Sequence, residues 1–285
     1  MRAIHAIAGM REWRAQAHVP VALVPTMGAL HAGHGRLMEE ARRQSAAVAV
    51  SIFVNPIQFN LDEDYRRYPR PVANDLAFCE ERGVNVVFQP PIEEMYPQPQ
   101  LSFVDVSRVA EHMEGRFRPG HFRGVATVVL KLFQIVQPDL AYFGEKDAQQ
   151  LAVVRRMAKD LNLPVEIVGV PTVRDPDGLA LSSRNLHLTA EEREIAPRLY
   201  QALRAAERII ASGETSAERV KCAACGLLAA EPRIRLEYLE IADEDLMQPV
   251  ERITGPVRVA AAVWVGRTRL IDNLRCAPAE TCRTL

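Results

Sequence analysis

Short apolar runs rich in β-branched residues alternate with helix-like segments of about 10 to 15 residues through the first 170 residues, and this alternation leaves few architectures open. The runs are "VALVP" (21–25), "AVAVSIFV" (47–54), "VNVVFQ" (84–89), "DLAYFG" (139–144) and "VEIVGV" (165–170), with a shorter strand candidate, "FVDV", at 103–106. Strands that read as continuous hydrophobic stretches are buried on both faces, which marks a parallel sheet built from βαβ units. Between them lie "GRLMEEARRQ", "ANDLAFCEERG" and "DAQQLAVVRRMAKDL". In the last of these, Leu151, Val154, Ala158 and Leu161 fall on one stripe, as docking on a core requires. The expected class is α/β, a parallel sheet with helices on both faces.

The pattern changes at about residue 174, within "PTVRDPDG". Two helical stretches follow, "TAEEREIAPRLYQALRAAERIIAS" and "AERVKCAACGLLAA", and then strand-like runs at "LEYLEIA", "VRVAAAVWV" and "RLIDN". Thr189 with Glu192 forms a capping-box pattern that opens the first helix. Helices followed by neighbouring strands predict a smaller α+β domain. The expected division is 1–173 for the sheet domain and 174–285 for the smaller one.

Composition removes several function classes. The formal net charge is -1, with a pI near 6.7, so no basic face for a nucleic-acid backbone is expected. No stretch approaches the roughly 20 apolar residues of a membrane-spanning helix. The opening "MRAIHAIAGMREW" lacks the apolar core and cleavage site of a secretory signal, so a cytoplasmic protein is expected. Five cysteines, an odd number, do not build a disulfide framework. Cys222 and Cys225 form a CxxC, but on an amphipathic helix with no second pair at zinc spacing, and buried apolar roles are expected for both.

In an open parallel sheet, ligands bind beyond the carboxyl ends of the strands. The unusual polar segments fall there: "PTMGALHAGH" after "VALV", "NPIQF" after "SIFV", "GEKDAQQ" after "AYF" and "PTVRD" after "EIVGV". Turn chemistry accounts for Gly28, Gly33, Asn55, Pro56 and Gly144, but not for His31, His34, Gln58, Lys146 or Gln150. His34 is expected at the start of a helix carrying Leu37, Met38 and Ala41, where free N–H groups favour a phosphate and Gly33 admits close backbone approach. Lys146 either holds a phosphate as a point charge or lies on a solvated face, and Asp147 either caps the next helix or meets ligand. In "LSSRN" (181–185), two hydroxyls and a guanidinium read either as a phosphate clamp or as a Ser-rich turn. In "RPGHFRG", His121 and Arg123 either assist at the site or shape their loop.

These segments, with "YPR", "QPDLAYFGEKDAQQL", "VGVPTVRDPDGLALSSRN" and "LIDN", resemble the pantothenate synthetase (pantoate–β-alanine ligase) family, in order and over nearly the whole chain. The HxGH element is also the mark of the wider HIGH-type nucleotidyl transferases. The resemblance implies a Rossmann-like sheet domain that binds ATP and pantoate, a C-terminal lid domain and a homodimer. It implies that Met27, Gly28, Ala29, Leu30, His31, Ala32, Gly33 and His34 bind ATP, with His34 catalytic and His31 its partner. Gly144, Glu145, Lys146 and Asp147 match a second ATP segment, and Val173 a backbone contact to adenine. Leu181, Ser182, Ser183 and Arg184 match a mobile ATP-binding stretch. Gln58 matches a contact to pantoate and β-alanine, and Gln150 a contact to pantoate. Gly35 and Tyr65 stand where bulkier residues and Leu are usual.

The implied reaction is ATP-dependent. The carboxylate of (R)-pantoate attacks the α-phosphate, and the amine of β-alanine then attacks the pantoyl adenylate to give pantothenate and AMP. His34, Lys146 and Arg184 would stabilise charge on the phosphates, with Mg²⁺ on the β- and γ-phosphates through ligands the sequence does not name. The rival readings are another HIGH-type adenylyl transferase that forms no amide, and a nucleotide-binding regulator without catalysis.

Overall fold

The computed structural model describes residues 1–60 and 62–278. Six strands, β1 (Arg2–Ile4), β2 (Val21–Thr26), β3 (Ala47–Ile52), β4 (Val86–Phe88), β5 (Leu140–Gly144) and β6 (Glu166–Val170), form one sheet in the order β1-β4-β3-β2-β5-β6. Every pairing in it is parallel. Its strands read as unbroken apolar runs because both faces are covered. On one face Ala22, Val24, Val48, Val50 and Tyr142 pack with Cys79 and with Leu37, Met38 and Ala41 of α2 (Ala32–Gln44), the helix that follows α1 (Ile7–Gln16). The alternate residues Leu23, Ala49, Val86 and Ala141 have no exposure either. Strand order reverses between β2 and β5, and at that switch point an α/β sheet opens its crevice beyond the strand ends. The loops that leave these two strands carry the HxGH and GEKD segments.

The second sheet is antiparallel, in the order β7 (Ile234–Asp243), β8 (Val257–Val265) and β9 (Thr268–Cys276). Its core joins Ile241, Val259 and Val263 to Leu199, Leu203 and Ile210 of the Arg198–Ala211 helix and to Val220 and Leu228 of the Ala217–Ala229 helix. Contacts divide the chain into two compact units. The first holds Met1–Ser107, Arg118–Glu145 and Val153–Val173; the second holds Arg108–Phe117, Lys146–Ala152 and the chain from Arg174 onward. Two short segments thus join the second unit across the main cut. Glu114 holds Arg269 through paired bonds of 2.8 and 2.6 Å, and Gln149 donates to the carbonyls of Val109 and His112, both at 2.8 Å.

Several local expectations change. Residues 103–106 form no strand; the amide of Val104 donates instead to the Thr127 hydroxyl at 3.0 Å. Pro197, which has no N–H for the helical ladder, divides the expected long helix into Ala190–Ile195 and Arg198–Ala211. Leu151, Val154 and Ala158 are buried as the stripe requires, but Leu161 is 48% exposed because the helix ends at Asp160. β1 gave no sequence signal. Cys222 is exposed rather than buried, Cys225 lies partly buried against the second core, and all the described cysteines are free. Cys282 lies outside the described residues.

Candidate active site

β2 runs into Met27, and the chain turns through two consecutive left-handed residues, Gly28 (φ 82°) and Ala29 (φ 51°). His31 then takes the N-cap position of α2 in extended conformation. Its Nδ1 accepts the Gly33 amide at 3.1 Å, while Nδ1 of His34 accepts the His31 amide at 3.3 Å. The two histidines therefore form a reciprocal capping box of imidazoles, with ring centroids 4.1 Å apart. A backbone N–H only donates, so each Nδ1 must be unprotonated. In the neutral rings the proton then sits on Nε2, making each outer ring edge a donor. A Cβ on Gly33 would stand 2.9 Å from the His31 ring, so glycine there makes room for the imidazole.

Gln58 is buried in a short 3-10 turn, Pro56–Gln58, after β3. Its Oε1 accepts from Asn55 Nδ2 at 3.1 Å, which turns its amide group toward Met27, with Nε2 to Sδ at 3.0 Å. Asn55 is 1% exposed, also donates to the Gly124 carbonyl at 3.1 Å, and accepts from the Tyr96 hydroxyl at 2.7 Å. Burial raises the Tyr96 pKa, so the phenol remains a donor. His121 opens the His121–Val136 helix and belongs to this scaffold. Arg118 donates to its Nε2 at 3.2 Å, so its Nδ1–H donates to the Gln58 carbonyl at 2.9 Å. These bonds tie the start of that helix to the Gln58 turn. Arg123 likewise pairs with Asp105 at 3.3 Å and stacks over Phe103. A Cβ on Gly124 would meet the Ile57 carbonyl oxygen at 2.4 Å, so glycine lets the helix abut the Gln58 turn.

β5 delivers Gly144 and Glu145, both half-buried, and the next residue, Lys146, opens a segment of the second unit. Lys146 Nζ lies 3.5 Å from the Asp147 carboxylate, and Asn273 Nδ2 donates to the Lys146 carbonyl at 2.8 Å. Within this unit a cavity is lined by Lys146, Ala180, Ser182, Arg184, Tyr200 and Asp272. Ser182 caps the 3-10 turn Ser183–His187, its Oγ accepting the Arg184 amide at 3.3 Å. Asn185 Nδ2 ties the turn back to the Ala180 carbonyl at 3.0 Å. Arg174 makes paired bonds of 2.6 and 2.9 Å to Asp272, whose side chain is 3% exposed. Burial raises the Asp272 pKa, against the lowering pull of Arg174.

The expected residues thus form two sets: Met27 to His34 with Gln58 in the first unit, and Lys146 with Ser182 and Arg184 around the cavity of the second. Gln150 and Val173 are half-buried and belong to neither set. Asp75 and Tyr96 escaped sequence reasoning because their partners lie 41 to 46 positions away; Arg174 and Asn273 stand within "PTVRD" and "LIDN", but nothing local singles them out. Gly35, the departure in the first helical turn, is buried; a Cβ would stand 2.7 Å from Arg82 Nε, so α2 docks closely there. Among the described residues no helix is long and apolar enough to cross a membrane.

A family model described as pantoate-beta-alanine ligase matches residues 2–275. The chain is 53% identical over 274 residues to the pantothenate synthetase of Chloroflexus aurantiacus, covering 96% of this chain and 97% of that one. Among solved structures, the pantothenate synthetase of Thermus thermophilus is 48% identical, with TM-score 0.91 and coverage of 96% and 99%. A pantoate-beta-alanine ligase from Francisella tularensis, described as complexed with beta-gamma ATP and beta-alanine, is 35% identical, with TM-score 0.80 and coverage of 96% and 97%.

Proposed function

Because the chain belongs to the pantoate–β-alanine ligase family, we propose that it joins (R)-pantoate to β-alanine at the expense of ATP, yielding pantothenate, AMP and pyrophosphate. It is a ligase that forms a carbon–nitrogen bond. In the first step a pantoate carboxylate oxygen attacks the α-phosphorus of ATP and pyrophosphate departs. In the second the β-alanine nitrogen attacks the acyl carbon of pantoyl adenylate, loses a proton, and AMP departs.

The observation that carries this reading is the imidazole capping box. With both Nδ1 atoms occupied by amides, His31 and His34 offer Nε2–H donors in fixed positions, suited to charge that grows on phosphate oxygens in the transition state. His34 is the principal catalytic donor and His31 its partner. Lys146 and Arg184 add full positive charge toward the triphosphate. Met27 to His34, Gly144 to Asp147, Val173 and Leu181 to Arg184 make up the ATP contacts. Gln58 and Gln150 recognise pantoate, and Gln58 also β-alanine; the carboxamide of Gln58 is already oriented by Asn55. Residues 1–173 bind ATP and pantoate, and 174–285 form the lid domain.

Mg²⁺, if bound with ATP, would supply positive charge to the triphosphate, beside the charge that Lys146 and Arg184 offer. Among the described residues no three His, Cys, Asp or Glu side chains are grouped to hold a metal. A cytoplasmic homodimer is part of the same reading. The test is a coupled assay for AMP with ATP, pantoate and β-alanine, each omitted in turn. AMP release that requires all three supports the ligase, and release without β-alanine contradicts it.

A further inference from the structure

Asp75 lies on the Val72–Glu81 helix, 2% exposed, and its carboxylate faces the turn that leads into the histidine box. Oδ2 accepts the Ala29 amide at 2.9 Å and Oδ1 accepts the Leu30 amide at 2.8 Å. Successive amides converging on one point form an anion-binding concavity, the arrangement that many proteins offer to phosphate. Here the anion in it is a side chain of the protein itself. The neighbouring amides are engaged in the same inward sense: Gly28 donates to Thr26 Oγ1 at 3.2 Å, His31 to the His34 ring and Gly33 to the His31 ring.

We propose that Asp75 is a positioning residue for adenylate formation, holding the Gly28–Leu30 turn so that the imidazole edges face the phosphate. The inference rests on the reading of His31 and His34 given above. Three observations support it. The left-handed φ at Ala29 is unfavourable for a residue with a Cβ and persists where surrounding bonds over-determine it; the two bonds to Asp75 do so. The carboxylate packs so closely on the turn that a Cβ on Gly28 would stand 2.8 Å from Oδ2, so side chain and turn fit only one another. Finally, two donors require two acceptors, which a carboxylate supplies and an isosteric amide does not.

The test compares Asp75→Asn, Asp75→Ala, Gly28→Ala and His34→Ala with the unaltered protein in pantoate-dependent exchange between pyrophosphate and ATP, with amide hydrogen exchange at Ala29 and Leu30 as a second readout. Asp75→Asn should lose about a hundredfold in kcat for exchange, while KM for ATP moves by less than about threefold. Its Ala29 and Leu30 amides should exchange fast, whereas His34→Ala should lose activity with those amides still protected. Should either Asp75 variant fail to fold, Gly28→Ala presses on the same contact from the opposite side and should show the same loss in kcat. An Asp75→Asn enzyme with kcat within about twofold of wild type, or with the loss confined to KM, overturns the inference. Full exchange activity in His34→Ala would instead overturn the reading beneath it, so the two failures are told apart.

Discussion

The chain opens two helices with the same reciprocal hydrogen-bond pattern but different side chains. At Thr189 the hydroxyl accepts the Glu192 amide at 3.2 Å and the Glu192 carboxylate accepts the Thr189 amide at 2.9 Å. At His31 the partners are imidazoles, with bonds of 3.1 and 3.3 Å. A hydroxyl and a carboxylate cap a helix end as well as histidines do. What imidazole adds is a second nitrogen on the far side of the ring, whose protonation the cap bond fixes. On the proposed reading the first box serves the reaction through its outer edge, while the second holds a helix start.

That contrast is open to attack at several points. The largest effect is expected for His34→Ala, with pantoate-dependent pyrophosphate exchange falling about a thousandfold while the melting temperature shows only the loss of a cap bond. The exchange His31→Thr with His34→Glu sharpens this: the helix start and melting temperature should recover, and activity should not. Lys146→Ala should cost about a hundredfold in kcat/KM for ATP, the loss of a charge rather than of a fixed geometry. Gly33→Ala, which places a Cβ 2.9 Å from the His31 ring, should lower kcat about tenfold without lowering the melting temperature. Smallest is Thr189→Ala: about 1 kcal/mol of stability, or roughly 2–4 °C in Tm, with kcat unaltered.

The strands, the switch to an α+β pattern near residue 174 and the Thr189 box were legible because each follows from local periodicity or a known side-chain pattern. β1 was not, since three residues give no period and the strand exists only by pairing with β4. In the HxGH segment glycine at position 33 makes room for the His31 imidazole, a close approach that spacing alone does not reveal. Asp75 and the Tyr96–Asn55–Gln58 chain of bonds were hidden for a related reason. Their partners lie between 31 and 46 positions away, or across a turn whose shape depends on them. Sequence spacing reveals periodic burial well; it does not reveal which buried polar group meets which amide.

Three histidines provide the most direct measurement, through nitrogen-resolved magnetic resonance of the imidazole rings. In their neutral forms His31 and His34 should carry the proton on Nε2, and His121, held in the opposite sense by Arg118 and the Gln58 carbonyl, should carry it on Nδ1. A proton on Nδ1 of His31 or His34 would contradict the account, because neither ring could then cap the helix and present its outer edge as a donor.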